Sequence, residues 1–399
     1  MKFRMSSPDL NDADRQAVLD VLNTPNLSMG AQIEAFERSI CETTGAKHAI
    51  GVSSGTAGLH LCVRAAGIGA GDIVVTTPFS FVASTNAFLF EKAVPAFVDV
   101  DPSTGNMDVD QLENAVEALF EGGDRALKWF PRRLPPENRG ALKNVKAILP
   151  VDVFGQPADY DRINTIARQY HLTVIEDSCE ALGAEYKGRQ AGVLGDFGVF
   201  AFYPNKQITT GEGGMVVTDD GRADDLMRAL RNQGRAPGDT WLQHTYLGYN
   251  YRLDEMSAAL GWSQMSRLDE LLDKRSQVAD WYSGYLSKID EVTAPVVVES
   301  TTRASWFVYV IRIDKSVDRD RFARILEEKG VPVRPYFSPI HLQPFMQEMF
   351  GFQPGDYPIT EDLGNRSLAL PFSGRMTEDE VKSVCEHIAD ALVASKSHA

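Results

Sequence analysis

The sequence predicts an α/β fold: a large, mostly parallel sheet covered by helices on both faces, with a smaller α+β domain toward the C-terminal end. Three observations carry this. Short apolar runs alternate with helical periodicity over the first half of the chain. Those runs read as near-continuous Val, Ile, Leu and Ala, as strands buried on both faces do. A length of 399 residues, with 43% hydrophobic and 24% charged side chains, suits one large folded domain carrying a smaller one.

The elements follow in order. Leu10, Ala13, Ala17, Val18, Val21 and Leu22 recur at three- and four-residue spacing and predict a helix ending near Asn23-Thr24-Pro25. A second helix runs from about Ala31 to Thr43 and stops at Gly45. Strands are expected at 48–52, 73–76, 96–98, 147–151, 173–175, 198–203 and 214–218, with helices at 57–66, 83–90 and 159–170 between them. A long helical pattern then covers 253–289. Beyond Val296-Val297-Val298, a strand at 307–313 and helices at 319–329 and 376–395 form the small domain. The expected division is 1–255 for the large domain, 256–289 for a connecting helical segment and 290–399 for the small domain. Residues 122–140, with Pro131, Pro135 and Pro136 among Arg125, Lys128, Arg132, Arg133 and Arg139, fit neither pattern and read as an inserted surface loop.

Forty Lys and Arg against fifty-five Asp and Glu leave a net charge of −15, the wrong sign for a surface that gains affinity by neutralising nucleic-acid phosphates or an anionic membrane. Cys41, Cys62, Cys179 and Cys385 lie far apart, which suggests neither a metal site nor a disulfide framework, and they read as reduced core residues. The first residues lack an apolar leader pattern, and no window reaches the length of a membrane-spanning helix. The expected address is cytoplasmic.

Candidate chemistry gathers where apolar strands end. Gly67-Ile68-Gly69-Ala70-Gly71 follows a helix and leads into a strand, the reverse of a dinucleotide fingerprint, and reads as a helix cap and turn. Val52-Ser53-Ser54-Gly55-Thr56-Ala57 runs from a strand into a helix and presents backbone N–H groups and hydroxyls, either as an anion cradle or as an ordinary cap. Asp177 follows the strand Val174-Ile175, at the carboxyl edge where open α/β sheets bind ligands; alone it would serve equally as a helix cap. Lys206 follows the apolar run Gly198 to Tyr203 and is held between Pro204 and a glycine-rich turn, a setting for a desolvated amine with Schiff-base chemistry. An anion site, an acid and a strand-end lysine together suit pyridoxal 5′-phosphate.

The runs SSGTAGLHL, TPFSFVASTNAF, FVDVDPSTGNMD, PVDVFGQPADYD, IEDSCEALGAEYKGR, GDFGVFAFYPNKQITTGEGGMVVTDD, GYNYRLDEMSAALG and PYFSPIHLQPF, in this order and spacing, resemble the DegT/DnrJ/EryC1/StrS family of nucleotide-sugar aminotransferases. The resemblance spans about residues 8–385 and implies a fold-type-I, pyridoxal-phosphate-dependent enzyme. It implies that Lys206 binds the cofactor aldehyde and moves the substrate proton, and that Asp177 pairs with the pyridine N–H. Gly55 and Thr56 match the phosphate-binding turn, and Phe81 matches the aromatic that stacks on the ring. Glu180 stands where the family usually has Gln or His near the phenolic oxygen. Ala201 replaces a frequent phosphate-binding Ser, a contact that Ser53 or Ser54 would have to make.

Asn250 matches an asparagine that reaches the phosphate from the neighbouring subunit, which implies a homodimer. His341 matches a segment at the pocket mouth, with Arg334 and Tyr336 near enough in sequence to help bind a diphosphate or a donor carboxylate. The implied reaction moves an amino group from glutamate to a keto-sugar nucleotide, in perosamine-type 4-amino-4,6-dideoxysugar synthesis. Two rival readings are a sugar dehydrase of the same family, which would carry His in place of Lys206, and a cofactor-binding regulator without turnover. Compared with short family members, residues 122–140 are an insertion, and their five basic residues suggest a positive patch for a nucleotide diphosphate.

Overall fold

The structure is a computed structural model, and it describes residues 3–138 and 144–396. Its centre is a seven-stranded sheet, in spatial order 48–52, 214–218, 197–201, 173–177, 145–149, 73–76 and 94–97. Only Gly214–Thr218 runs against its neighbours; the other strand pairs are parallel. Alternate strand residues serve opposite faces. Val74, Ile175 and Val216 pack under the helices Gly55–Ala65 and Gly221–Arg231. On the other face, Ile73, Val75 and Val174 meet the helices Val109–Glu121 and Tyr160–Tyr170, and Met215 and Val217 meet Ala31–Thr44.

Helix starts follow local capping chemistry. Asn11 and Asp14 form a reciprocal capping box, and Ser54, Asp108, Asp159, Asp220 and Asp254 each accept a first-turn N–H. Among the described residues, no helix is long and apolar enough to cross a membrane.

A second core lies around a four-stranded antiparallel sheet of Val292–Thr293, Val310–Ile313, Ser367–Ala369 and Arg334–Pro335. The terminal helix Glu378–Lys396 covers it. The helix Leu268–Leu286 joins both cores, through Leu268, Leu271 and Leu272 at one end and Val278, Tyr282 and Leu286 at the other. Phe3 also packs in the second core, so the N-terminal strand of chain lies with residues from the opposite end of the sequence.

Several expected elements are corrected. The helical pattern over 253–289 is two helices, Glu255–Met265 and Leu268–Leu286, because Arg267 leaves helical geometry and turns its guanidinium onto Asp14 at 3.0 Å. The strand expected at 307–313 begins at Val310. Residues 305 and 307 instead donate backbone hydrogen bonds to Gly155 and Phe154 of the large domain.

Residues 122–138 are not a bare loop, since they contain the helix Gly123–Leu127 and a turn of 3-10 helix at Pro136–Asn138. Their basic residues do not form a free patch. Arg125 is paired with Glu117 and Glu121, Lys128 lies 4.5 Å from the centre of the Trp129 ring, Arg132 is paired with Asp356, and Arg133 donates to the Glu348 carbonyl. Arg139 and Gly140 lie outside the described residues.

Candidate active site

The carboxyl ends of parallel strands 48–52, 173–177 and 197–201 meet at one edge of the sheet, and a cavity of about 760 Å³ opens there. It is lined by Gly55, Thr56, Phe81, Asp177, Glu180, Lys206 and Tyr336, among others, so residues from distant parts of the sequence share one space. Two glycines allow the close packing on its floor. A Cβ on Gly55 would stand 2.8 Å from the Cys179 sulfur and 2.9 Å from the Ala201 Cβ, and one on Gly214 would stand 2.6 Å from the Ser54 carbonyl.

Ser54 caps the helix Gly55–Ala65 by accepting from the Ala57 N–H at 3.1 Å, and its hydroxyl proton stays available to a ligand. The first N–H groups of that helix have no intrahelical partner, which makes its start a place for an anion. Ser54 lines the cavity and Ser53 does not. Phe81 is 64% exposed, an unusual setting for a large apolar ring that a flat ligand would cover.

Asp177 is buried, and its Oδ2 accepts from the Ser84 hydroxyl at 2.5 Å while its Oδ1 accepts from the Cys179 N–H at 3.2 Å. Lys206 Nζ stands 3.6 Å from Glu180 Oε1 and 3.7 Å from the centre of the Phe307 ring. Burial pushes the Glu180 carboxyl above its ordinary range, opposed by the Lys206 charge and by the Phe154 N–H, which donates to Oε2 at 2.9 Å. Burial, reinforced by the Glu180 charge, lifts the Tyr336 phenol to about 12, so it remains a hydrogen-bond donor at neutral pH.

Three supporting groups escaped the sequence reading. Ser84 orients Asp177 from 93 residues away. Arg275, fully sequestered from water, donates to the carbonyls of Asn205, Lys206, Trp306 and Phe307 and so pins the lysine turn against Phe307; the signal was a guanidinium among Leu271, Leu272, Val278 and Ala279 on a helix face that is otherwise core. Behind Asp177 lies the third, a cluster of Asp152, Glu176, Ser178 and Tyr160. Asp152 N–H donates to the Asp177 carbonyl at 3.1 Å, so the cluster is tied to the strand end that presents Asp177.

Ser178 Oγ lies 2.6 Å from Asp152 Oδ2 and 2.9 Å from Glu176 Oε1. One hydroxyl proton cannot serve both contacts, so a carboxyl supplies the other. Glu176 already accepts from the N–H groups of Gly192, Leu194 and Gly195, which stabilise its charge. Burial and the Glu176 charge push the Asp152 carboxyl well above its ordinary range.

A carboxyl with a raised folded pKa stabilises the protein fully below its unfolded value near 3.8, and that contribution is lost as pH rises toward the folded value. Asp152→Asn keeps the geometry without the proton. Its melting temperature relative to the parent should therefore increase as pH is raised above the unfolded value near 3.8, on the order of 2 °C per kcal/mol; a difference that stays constant with pH would show Asp152 ionised in the folded protein.

The remaining expected site residues lie elsewhere. Asn250 is exposed in a strand-like bridge to Asn232 and does not line the cavity. Arg334 is exposed, pairs with Glu327 at 3.1 Å and is not among the lining residues. His341 is 0% exposed and its Nε2 meets Glu361 Oε1 at 2.9 Å; its neighbours Ile340 and Gln343 reach the cavity and it does not. The four cysteines are free, as expected, and Cys179 packs against the main core while also lining the cavity.

A GDP-perosamine synthase from Caulobacter vibrioides is 35% identical over 98% of this chain and 99% of its own. Among solved structures, a DegT DnrJ EryC1 StrS aminotransferase from Brucella abortus is 30% identical with a TM-score of 0.84, covering 95% of each chain. PseC of Helicobacter pylori, an aminotransferase involved in the biosynthesis of pseudoaminic acid, is 27% identical with a TM-score of 0.87 over 98% of this chain and 99% of its own. The sequence pattern of the DegT/DnrJ/EryC1/StrS aminotransferase family extends over residues 8–389, and with the strand-end lysine and acid placed in one cavity, this chain belongs to that family.

Proposed function

We propose that the protein is a cytoplasmic, pyridoxal-phosphate-dependent sugar aminotransferase that moves an amino group from glutamate to the keto group of a nucleotide-linked sugar, with a perosamine-type 4-keto-6-deoxy sugar as acceptor. The observation that carries this is the cavity shared by Lys206, Asp177, Phe81 and the helix start at Gly55 and Thr56. These residues fit the cofactor: an amine, a buried carboxylate held by Ser84, an uncovered aromatic face and an anion-ready helix end, with the Asn205 Oδ1 buried and unpartnered beside them. Pyridoxal phosphate, when bound, supplies an aldehyde for the amino group and a ring that accepts the electron pair left by proton removal.

The chain supplies the rest. Lys206 is the residue that would hold the cofactor through its aldehyde, and its amine would move the proton at the substrate Cα. Asp177, oriented by Ser84 and Cys179 N–H, keeps the pyridine nitrogen protonated. Gly55, Thr56 and the Ser54 hydroxyl hold the phosphate, which compensates for Ala201. Glu180 faces Lys206 at 3.6 Å and would stand near the cofactor's phenolic oxygen. Tyr336 offers its phenol to substrate; His341 and Arg334, which lie off the cavity, are assigned no substrate contact.

Asn250 acts in the neighbour's site. Trp241, Leu242 and Leu247 stand exposed on the segment leading to it, an apolar surface suited to a second copy of the chain. The dehydrase reading lacks support because the amine of Lys206 is present and faces the cavity.

An amination screen of 3-keto and 4-keto sugar nucleotides with glutamate, read by mass spectrometry, tests the assignment. A 4-keto-6-deoxy sugar nucleotide should be converted to the amino sugar with matching formation of 2-oxoglutarate. Conversion confined to keto compounds without a nucleotide would overturn it.

A further inference from the structure

One wall of the cavity is built by Ile340, Gln343 and Phe345. Gln343 caps, and Phe345 lies on, the short helix Pro344–Phe350, part of an excursion that runs to Tyr357 and the helix Pro358–Arg366. Among the described residues, no strand of the main sheet pairs with this excursion, so its position depends on individual hydrogen bonds, ion pairs and apolar packing. The large domain supplies them. The Pro78 carbonyl accepts from Ile340 N–H at 2.8 Å, and Asp99 accepts from the N–H groups of Ile359 and Thr360 at 2.9 and 2.8 Å.

The inserted segment supplies the others. Arg132 pairs through both guanidinium nitrogens with Asp356, whose Oδ2 also accepts from Gln353 N–H at 2.9 Å. Arg133 closes the C-terminal end of the helix Pro344–Phe350: its backbone N–H donates to the Phe350 carbonyl and its guanidinium to the Glu348 carbonyl, both at 2.9 Å. A cation at that end also suits the helix dipole. Leu134 packs beside Phe350, Phe352 and Ile340 in the same apolar cluster. At its base the segment is fixed by buried Trp129 and by Asn138, which donates to the Lys92 carbonyl at 3.0 Å. Glu361 completes the staple from within, accepting from the N–H groups of Gly355 and Tyr357 and meeting His341, which explains why that histidine is turned inward.

We propose that residues 129–138 are a brace that fixes the Ile340–Gln343–Phe345 wall and thereby sets how well the enzyme accepts its larger substrate, the keto-sugar nucleotide. The brace spends its cations on the protein, so it governs specificity by position rather than by touching phosphate. Glutamate is smaller than a sugar nucleotide and fills less of a cavity of about 760 Å³, so it depends less on where that wall stands. The inference rests on the sugar-aminotransferase reading, and its test has an arm that does not.

Arg132→Gln and Asp356→Asn, singly and together in the holoenzyme, remove one anchor at a half-exposed surface position. Hydrogen exchange over residues 344–357 should quicken about fivefold while exchange around Asp177 and Lys206 stays as in the parent. The double variant should match the singles, because both remove the same pair. KM for the accepted sugar nucleotide should rise about fivefold, the equivalent of one partly buried ion pair, with kcat and the glutamate half-reaction unchanged. Unchanged exchange over 344–357 would refute the brace, whatever the substrate. Faster exchange with unchanged KM, or an equal rise in KM for glutamate, would refute its role in acceptance. Failure of every sugar nucleotide to react would count against the functional reading alone and leave the exchange result to judge the brace.

Discussion

Lys206→Ala is expected to stop amino transfer, with a loss of at least about 10⁴-fold in kcat, because positioned proton transfer alone contributes about 10²–10⁴-fold and the covalent hold on the cofactor is lost with it. The fold should survive. Glu180 is left without its cation in a setting where burial already favours the neutral form, so the carboxyl takes up a proton instead of standing as an unpaired charge. Lys206→Arg keeps the charge beside Glu180 but not an amine that can release a proton, and should be equally inactive. A melting curve like the parent's, with turnover lost, is the expected pair of results; near-normal turnover would remove Lys206 from the chemistry. Mixed with an inactive Asn250→Ala chain, the Lys206→Ala chain should regain activity, since a hybrid dimer holds one site with both residues intact. No recovery in hybrids shown to form would place Asn250 outside the neighbour's site.

Asp177→Asn is the second large effect. The substitution keeps the size of the side chain and an oxygen to accept from the Ser84 hydroxyl, so the cavity should hold its shape. What is lost is the negative charge that keeps the ring nitrogen protonated, and kcat should fall by about 10²-fold or more with little change in melting temperature. Ser84→Ala tests the same charge through its holder: Asp177 loses one of its two donors, and a smaller fall in kcat, about tenfold, is expected. A full-rate Asp177→Asn enzyme would show that the ring is not protonated from this side.

The parts of the site that could be read in the sequence are those where an apolar run ends. Asp177 ends a strand of the central sheet and Lys206 and Gly55 each follow one, and parallel strands bring their carboxyl ends to one edge by geometry alone. Phe81 needed the family resemblance, because an isolated Phe in a mixed segment has no pattern to separate it from core. Ser84 and Asp152 were silent for a different reason: their partners lie 93 and 26 residues away, and neither residue carries a sign of which distant atom it will meet; Arg275 stood out only as a guanidinium on an apolar helix face, with its partner carbonyl 69 residues away.

Periodicity over 253–289 hid a break because Arg267 and its neighbours keep helical spacing while the backbone turns to reach Asp14. The basic residues of 122–138 looked like an anion patch because composition counts charges, whereas Glu117, Glu121 and Asp356 that neutralise them sit outside the segment or far beyond it. His341 resembled a ligand for the same reason, its partner Glu361 being visible only in the folded excursion.

The central claim is that the cavity at the sheet edge holds pyridoxal phosphate on Lys206. Reducing the purified protein with borohydride, digesting it and sequencing the fluorescent peptide by mass spectrometry tests this most directly. The account predicts a yellow protein whose visible band is bleached and whose cofactor is fixed to the lysine of the segment Tyr203-Pro204-Asn205-Lys206-Gln207. A reduced cofactor recovered on any other lysine, or a colourless protein that retains no cofactor after incubation with it, would contradict the account.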